Sequence, residues 1–258
     1  MKKRFSVLII CLVLAITGCK SFYSNEKDDP LLKLPSATLH EKGEAALAKK
    51  NYSDAIKYFE ALDTQYPFSD YAEQTSLNLI YAYHKNNDNP TAVAIADRFI
   101  HVFPRAANVD YAYYMKGVAN SNQDRGRLAK YVAVNMAWRD PGTTKDAYDD
   151  FNTLIKRFPE SHYAADARQR MVYLRNQFAL HELNVAEFYF RQKAYVAAAN
   201  RAGYLVTHYP QAPQTELALV LMVKADRKLQ LAEPAANALQ VLKTNFPHSK
   251  YLAELGSA

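Results

Sequence analysis

The chain has 258 residues, 49% hydrophobic and 22% charged, which is the balance of a folded protein with room for a sizeable core. Only seven glycines argue for helices over turn-rich β structure, and nineteen tyrosines supply rings with an apolar body and a polar tip. Three cations and no acid lie in residues 1–18, so removing them as a leader lowers the formal charge from +6 to +3, and nucleic-acid binding loses its compositional support.

That leader is the first predicted element. Lys2, Lys3 and Arg4 precede an apolar run from Phe5 to Ile16, too short to span a bilayer and with the charge order of a secretory signal. Ile16-Thr17-Gly18-Cys19 then resembles a bacterial lipobox, in which Cys19 is acylated and becomes the mature N-terminus. Lys20 after it favours an outer-membrane address. Cys11 leaves with the leader, so the mature chain can build no disulfide, thiol nucleophile or zinc site on cysteine. Diacylglycerol and an N-acyl chain on Cys19 are the sole attached groups expected; no cofactor or metal is. Residues 19–35 carry no helical period and are bracketed by Pro30 and Pro35. They read as a flexible tether, in which Leu31, Leu32 and Leu34 are free to dock on a partner or on the first helices of the chain.

From residue 36 to 258 the chain reads as one helical domain. Aromatic-proline pairs punctuate it at Tyr66-Pro67, Phe103-Pro104, Phe158-Pro159, Tyr209-Pro210 and Phe246-Pro247. Proline stops a helix and biases the preceding residue away from the helical region, so each pair marks one helix ending before the next begins. Ser69, Ser161 and Ser249 stand where N-caps are expected. The predicted helix pairs are 36–49 with 53–65, Ser53 capping the second; 70–86 with 90–102, opened by Pro90; 109–122 with 144–157; 161–192 with 195–208; and 213–229 with 232–245. A short cap is expected at 249–255. Between the helices of the third pair lies an insert over 123–143 holding the only tryptophan, Trp138, next to Arg139. It is either a partner contact or a loop folded back onto the array. Residues 161–192 read as a single long helix with a register shift near Ala179–His181.

Counting back from each proline by 12, 8 and 5 residues gives Ala55, Phe59 and Leu62; Ala92, Ala96 and Phe99; Ala147, Phe151 and Leu154; Ala198, Ala202 and Leu205; Ala235, Leu239 and Leu242. These lie on one helical face. Gly43, Tyr83, Gly117, Ala186 and Tyr189 fall on the small and aromatic positions of a preceding helix. The pattern resembles the tetratricopeptide repeat over residues 36–250 and implies an all-α solenoid of five helix-turn-helix repeats, with a long insert in repeat 3 and a long first helix in repeat 4.

Catalytic signatures are missing from the sequence: there is no phosphate loop, dinucleotide fingerprint, Gly-x-Ser-x-Gly or His-Glu-x-x-His. His181-Glu182 begins like a zinc helix, but Val185 stands where the second histidine belongs. Asp28-Asp29 and Asp149-Asp150 are adjacent and point apart on a helix. The chain reads as a binding scaffold and not an enzyme. Tyr66, Phe68, Tyr71 and Tyr81 concentrate rings near one end and are the candidate client-binding groove.

Several stretches carry a more specific resemblance: Leu62-Asp63 with Tyr66-Pro67-Phe68, Leu79-Ile80-Tyr81-Ala82-Tyr83, Asp97-Arg98-Phe99-Ile100, Arg139-Asp140-Pro141, Val185-Ala186-Glu187-Phe188-Tyr189 and Asn200-Arg201. In this order they resemble the BamD (YfiO, ComL) family of lipoproteins in the outer-membrane β-barrel assembly (BAM) complex. That resemblance implies a protein at the periplasmic face of the outer membrane, receiving unfolded outer-membrane proteins on its N-terminal repeats. The C-terminal repeats would bind the periplasmic domains of BamA and the accessory BAM lipoproteins, with Arg201 meeting an acidic residue of BamA and Asn200 beside it. The alternative readings are a tetratricopeptide pilot lipoprotein for secretin or pilus assembly and an adaptor near peptidoglycan synthesis.

Overall fold

The computed structural model describes residues 30–123 and 142–256. Within them lie eleven α-helices: α1 (Ser36–Ala48), α2 (Tyr52–Gln65), α3 (Ala72–Lys85), α4 (Asn89–Val102), α5 (Val109–Asn120), α6 (Gly142–Arg157), α7 (Ala164–Arg191), α8 (Tyr195–His208), α9 (Thr215–Lys228), α10 (Ala232–Asn245) and the short α11 (Tyr251–Gly256). From α1 to α10 each helix packs on the next in sequence; α3 also meets α5, α7 meets α9, and α11 packs back on α9. Five antiparallel pairs therefore stack in series, each burying its apolar stripe against its neighbours. Among the described residues no helix is long and apolar enough to cross a membrane.

The proline-anchored positions are the spine of this stack. All of them are buried except Leu239, which is half-buried beside the fully covered Leu242, and Ala238 takes the buried place on α10. Before each proline the aromatic residue leaves the helix while its N–H still reaches back four residues, as in Tyr66 to Leu62 and Phe158 to Leu154. In α1 and α5 the approach to the partner helix is closer than any side chain permits. A methyl at Gly43 would lie 2.5 Å from the Phe59 ring, and one at Gly117 would lie 2.7 Å from the Phe151 ring.

The capping residues differ from those expected. Asn51, not Ser53, caps α2 by accepting from the Asp54 N–H, and Asp88 does the same for α4 through Thr91. Ser69, Ser161 and Ser249 sit in the turns before the helices they were expected to cap. Ser161 and Ser249 accept the N–H two residues on, whereas the buried Ser69 hydroxyl makes no hydrogen bond. Inside the pairs, Lys50, Asn87, Lys193 and Gln230 take the left-handed conformation two residues after the helix ends, with φ between 57° and 61°. There the backbone N–H groups of the turn close on the last helical carbonyls, as Lys50 to Leu47 and Asn51 to Ala46.

α7 is one uninterrupted helix of 28 residues, about 42 Å long. Its first half, with Ala167 and Leu174, belongs to the core shared with α5 and α6; its second half, from Ala179 through Leu183 and Ala186, belongs to the core shared with α8 and α9. The register shift expected near Ala179 is the place where the helix passes from one core to the next.

The segment expected as tether through residue 35 is shorter than that at its C-terminal side. Pro30–Lys33 form a 3-10 turn, and Leu31 and Leu34 pack on the first core. Gln65 Nε2 donates to the Leu31 carbonyl at 3.3 Å and the Tyr66 hydroxyl donates to that of Leu34 at 3.2 Å.

Candidate functional site

α8 buries Ala198, Ala202 and Leu205, which turns Asn200 to the opposite side of the helix and leaves Arg201 exposed at the edge of the buried face. Val196, Asn200, Tyr204 and His208 recur every four residues and form an exposed stripe, with Val196 59% exposed and Tyr204 stacked on His208 at 3.9 Å. Arg201 flanks this stripe. Its Nη1 lies 3.1 Å from Glu182 Oε2 on α7, and the two side chains are 49% and 13% exposed. The guanidinium is thus oriented by a mostly covered carboxylate while about half of the side chain stays open to solvent. Nearby, burial raises the Tyr209 hydroxyl to about 12, with Tyr204 and Glu182 adding to the effect. Glu182, the acidic half of the zinc-like dipeptide, is therefore committed to Arg201.

A second assembly lies toward the N-terminal half. Tyr81 on α3 meets Tyr52 of α2 edge-on at 6.1 Å. Tyr111 and Tyr114 of α5 both pack on Tyr163, at 5.5 and 4.8 Å. Tyr81, Tyr111, Tyr114 and Tyr163 all pack against the same core, which strings the rings into a row across the first helix pairs, and burial is the main cause that raises the Tyr111 phenol. All five rings are half-buried. At the far end Tyr114 donates to Asp166 at 2.7 Å, and Arg170 lies over its ring at 5.7 Å while binding the same carboxylate. Burial alone would raise Asp166, but the hydrogen bonds from Arg170 and Tyr114 bring its carboxyl below the usual range.

The four rings expected to form one client groove do not meet. Tyr81 joins the row just described. Tyr71 is stacked on His40 at 4.4 Å against the first core. Tyr66 holds the Leu34 carbonyl, and Phe68 projects from the α2–α3 turn with 98% of its surface in solvent. Phe68 instead lines a cleft of about 530 Å³ with Leu77, Val102 and Phe103, rimmed by Asp70 and Glu73. Cys19, Trp138 and Arg139 lie outside the described residues. Tyr52, Tyr111, Tyr114 and Tyr163 went unread in the sequence because their pairing spans tens of residues, and each ring alone has the spacing of a core position.

The family model YfiO, described as outer membrane lipoprotein, matches residues 33–242. The outer membrane protein assembly factor BamD of Xylella fastidiosa strain Temecula1 is 38% identical over 247 residues, covering 96% of this chain and 83% of that protein. The factor of the same name from Neisseria meningitidis serogroup B strain MC58 is 36% identical over 249 residues, covering 96% and 93%. That of Pasteurella multocida strain Pm70 is 37% identical over 246 residues, covering 95% and 92%. Among solved structures, the type IV pilus biogenesis factor PilW superposes with a TM-score of 0.36 at 16% identity over 89% of this chain and 84% of that one. A tetratricopeptide repeat protein from Parabacteroides merdae superposes with 0.39 at 13% identity over 86% and 84%. Superpositions of that quality do not separate one helical array from another.

Proposed function

This chain belongs to the YfiO family of outer membrane lipoproteins, and on that premise we propose that it is a non-catalytic scaffold of the outer-membrane protein assembly complex. Acylated Cys19 would hold it at the periplasmic face of the outer membrane, with no cofactor required. The observation that carries the partner assignment is the outer face of α8, where an apolar and aromatic stripe runs beside a guanidinium already oriented by Glu182. Such a face suits a folded domain that brings a carboxylate to Arg201 and covers Val196 and Tyr204. BamA periplasmic domains are the proposed occupant, with accessory lipoproteins on neighbouring C-terminal helices.

Unfolded barrel proteins are assigned to the tyrosine row of α2, α3 and α5. Half-buried rings in fixed positions offer aromatic side chains of a client stacking partners at little cost in conformational entropy. In this reading Tyr81 is the one of the four groove candidates that meets the client, while Tyr66 and Tyr71 support the first helix pair. The test is capture of BamA on the immobilised chain. Arg201→Ala should weaken capture at least about thirtyfold, the lower end of the roughly 2–5 kcal/mol expected for truncating one partner of a desolvated charge pair, with helicity unchanged. Undiminished capture would remove Arg201 from the interface.

A further inference from the structure

The edge of the stack where α2 turns into α3 combines two features. The first is where the chain comes in: the hydrogen bonds of Gln65 to Leu31 and of Tyr66 to Leu34, with Leu31 and Leu34 packed on the first core, fix the polypeptide against the C-terminal end of α2. Cys19 is eleven residues before Pro30. However the intervening residues are arranged, they reach at most about 40 Å, less than the length of α7. An acyl group on Cys19 therefore holds this edge within about 40 Å of the bilayer, a limit it does not place on the C-terminal pairs.

The second feature is the exposed apolar surface at the same edge. Phe68 is 98% exposed at the tip of the turn, the most exposed of the large apolar side chains among the described residues. Val102, at the end of α4, is 59% exposed and lines the same cleft. Asp70 and Glu73 at the rim disfavour an anionic surface, so any contact here draws on apolar burial and not on charge.

We propose that the α2–α3 turn rests in the interfacial layer of the bilayer, with Phe68 inserted among the lipids and Val102 beside it. The proposal rests on the reading of Cys19 as a lipid anchor. Two attachment points in place of one remove most of the freedom of a tethered body to swing, so the tyrosine row and the α8 face are held at set heights above the membrane.

The test uses the full-length lipidated chain with Phe68→Cys, in which the acylated Cys19 is blocked and the new thiol carries an environment-sensitive fluorophore. It is reconstituted in vesicles of phosphatidylethanolamine with a minor fraction of phosphatidylglycerol, with and without lipids brominated on the acyl chain. A matched label at Lys243→Cys, exposed on α10, is the reference. The expected result is a blue shift and quenching by brominated lipid at position 68, none at 243, both unchanged at high salt. A chain that floats with the vesicles while the probe at 68 keeps its emission in water overturns the proposal and leaves the anchor standing. A chain that does not float overturns the anchor and the proposal with it. A blue shift that needs no vesicles and grows with protein concentration assigns the turn to a second copy and overturns the membrane contact.

Discussion

Two glycines in helix interiors should respond to the same substitution with opposite signs. At Gly43 an added Cβ would stand 2.5, 2.6 and 2.8 Å from Cε1, Cζ and Cδ1 of Phe59, against about 3.5–4.0 Å for an unstrained carbon contact. Phe59 is fully buried among Leu39, Ala55 and Leu62, so its ring has nowhere to go without moving α1 from α2. Overpacking of this kind costs about 1–3 kcal/mol, and the helix preference for alanine over glycine returns about 1 kcal/mol. Gly43→Ala should therefore destabilise by up to about 2 kcal/mol, a fall of up to about 4–8 °C in melting temperature for a domain of this size. At Gly203 in α8 the nearest atom to a new Cβ is Met222 Cε at 3.7 Å, an ordinary contact. Gly203→Ala should gain about 0.5–1 kcal/mol from helix preference alone. Thermal unfolding followed by helical circular dichroism measures both, and Gly43→Ala combined with Phe59→Leu should recover part of the loss. If Gly43→Ala stabilises the chain as Gly203→Ala does, the close approach of α1 and α2 is not what the structure describes.

Lys193 holds a left-handed conformation at φ 60° that costs a side-chain-bearing residue about 1–2 kcal/mol, so Lys193→Gly should raise the unfolding midpoint in urea despite the greater freedom of glycine in the unfolded chain. His84 is half-buried and bonded to Asn89 at 2.8 Å, and burial lowers its pKa below the ordinary value of 6.5. The unfolded chain then takes up a proton before the folded one does. Stability should be flat above pH 6.5 and fall as the pH drops from there toward the folded value, and His84→Gln should remove that part of the slope in melting temperature against pH. Tyr114→Phe should leave the fold standing but loosen Asp166, detectable as a rise of the Asp166 carboxyl toward its usual range by NMR titration.

Much of the fold was legible because proline leaves a covalent mark on helix ends and the buried face repeats at fixed distances from it. Ala55, Phe59 and Leu62 have the same places in their pair as Ala147, Phe151 and Leu154 in theirs, even across the insert. The turns were harder. Left-handed residues usually announce themselves as glycine, and here they are Lys50, Asn87, Lys193 and Gln230, so outside the polar run that ends in Pro90 it was mainly the helix spacing that told where the pairs bend. Serines near a helix start look like caps in sequence, yet in Ser161 and Ser249 the hydroxyl accepts an N–H within the preceding turn, and that of Ser161 also donates to Asp110 of α5. The residues alone read Arg201 as a solvated cation at the rim of α8, its partner role came from the family resemblance, and its tie to Glu182 depends on how α7 and α8 face each other, which spacing does not report. Tyr71 lies apart from Tyr81 and Phe68 because a ring at a helix start can turn inward, and it stacks on His40.

The central claim is that this array serves barrel assembly through contacts alone, and depletion in its own cell tests it most directly. Folded β-barrel proteins in the outer-membrane fraction should fall together as the chain is withdrawn and return with the wild-type copy, while Arg201→Ala restores them only in part. Barrel proteins that persist at full level while pili or secretins vanish would contradict the account.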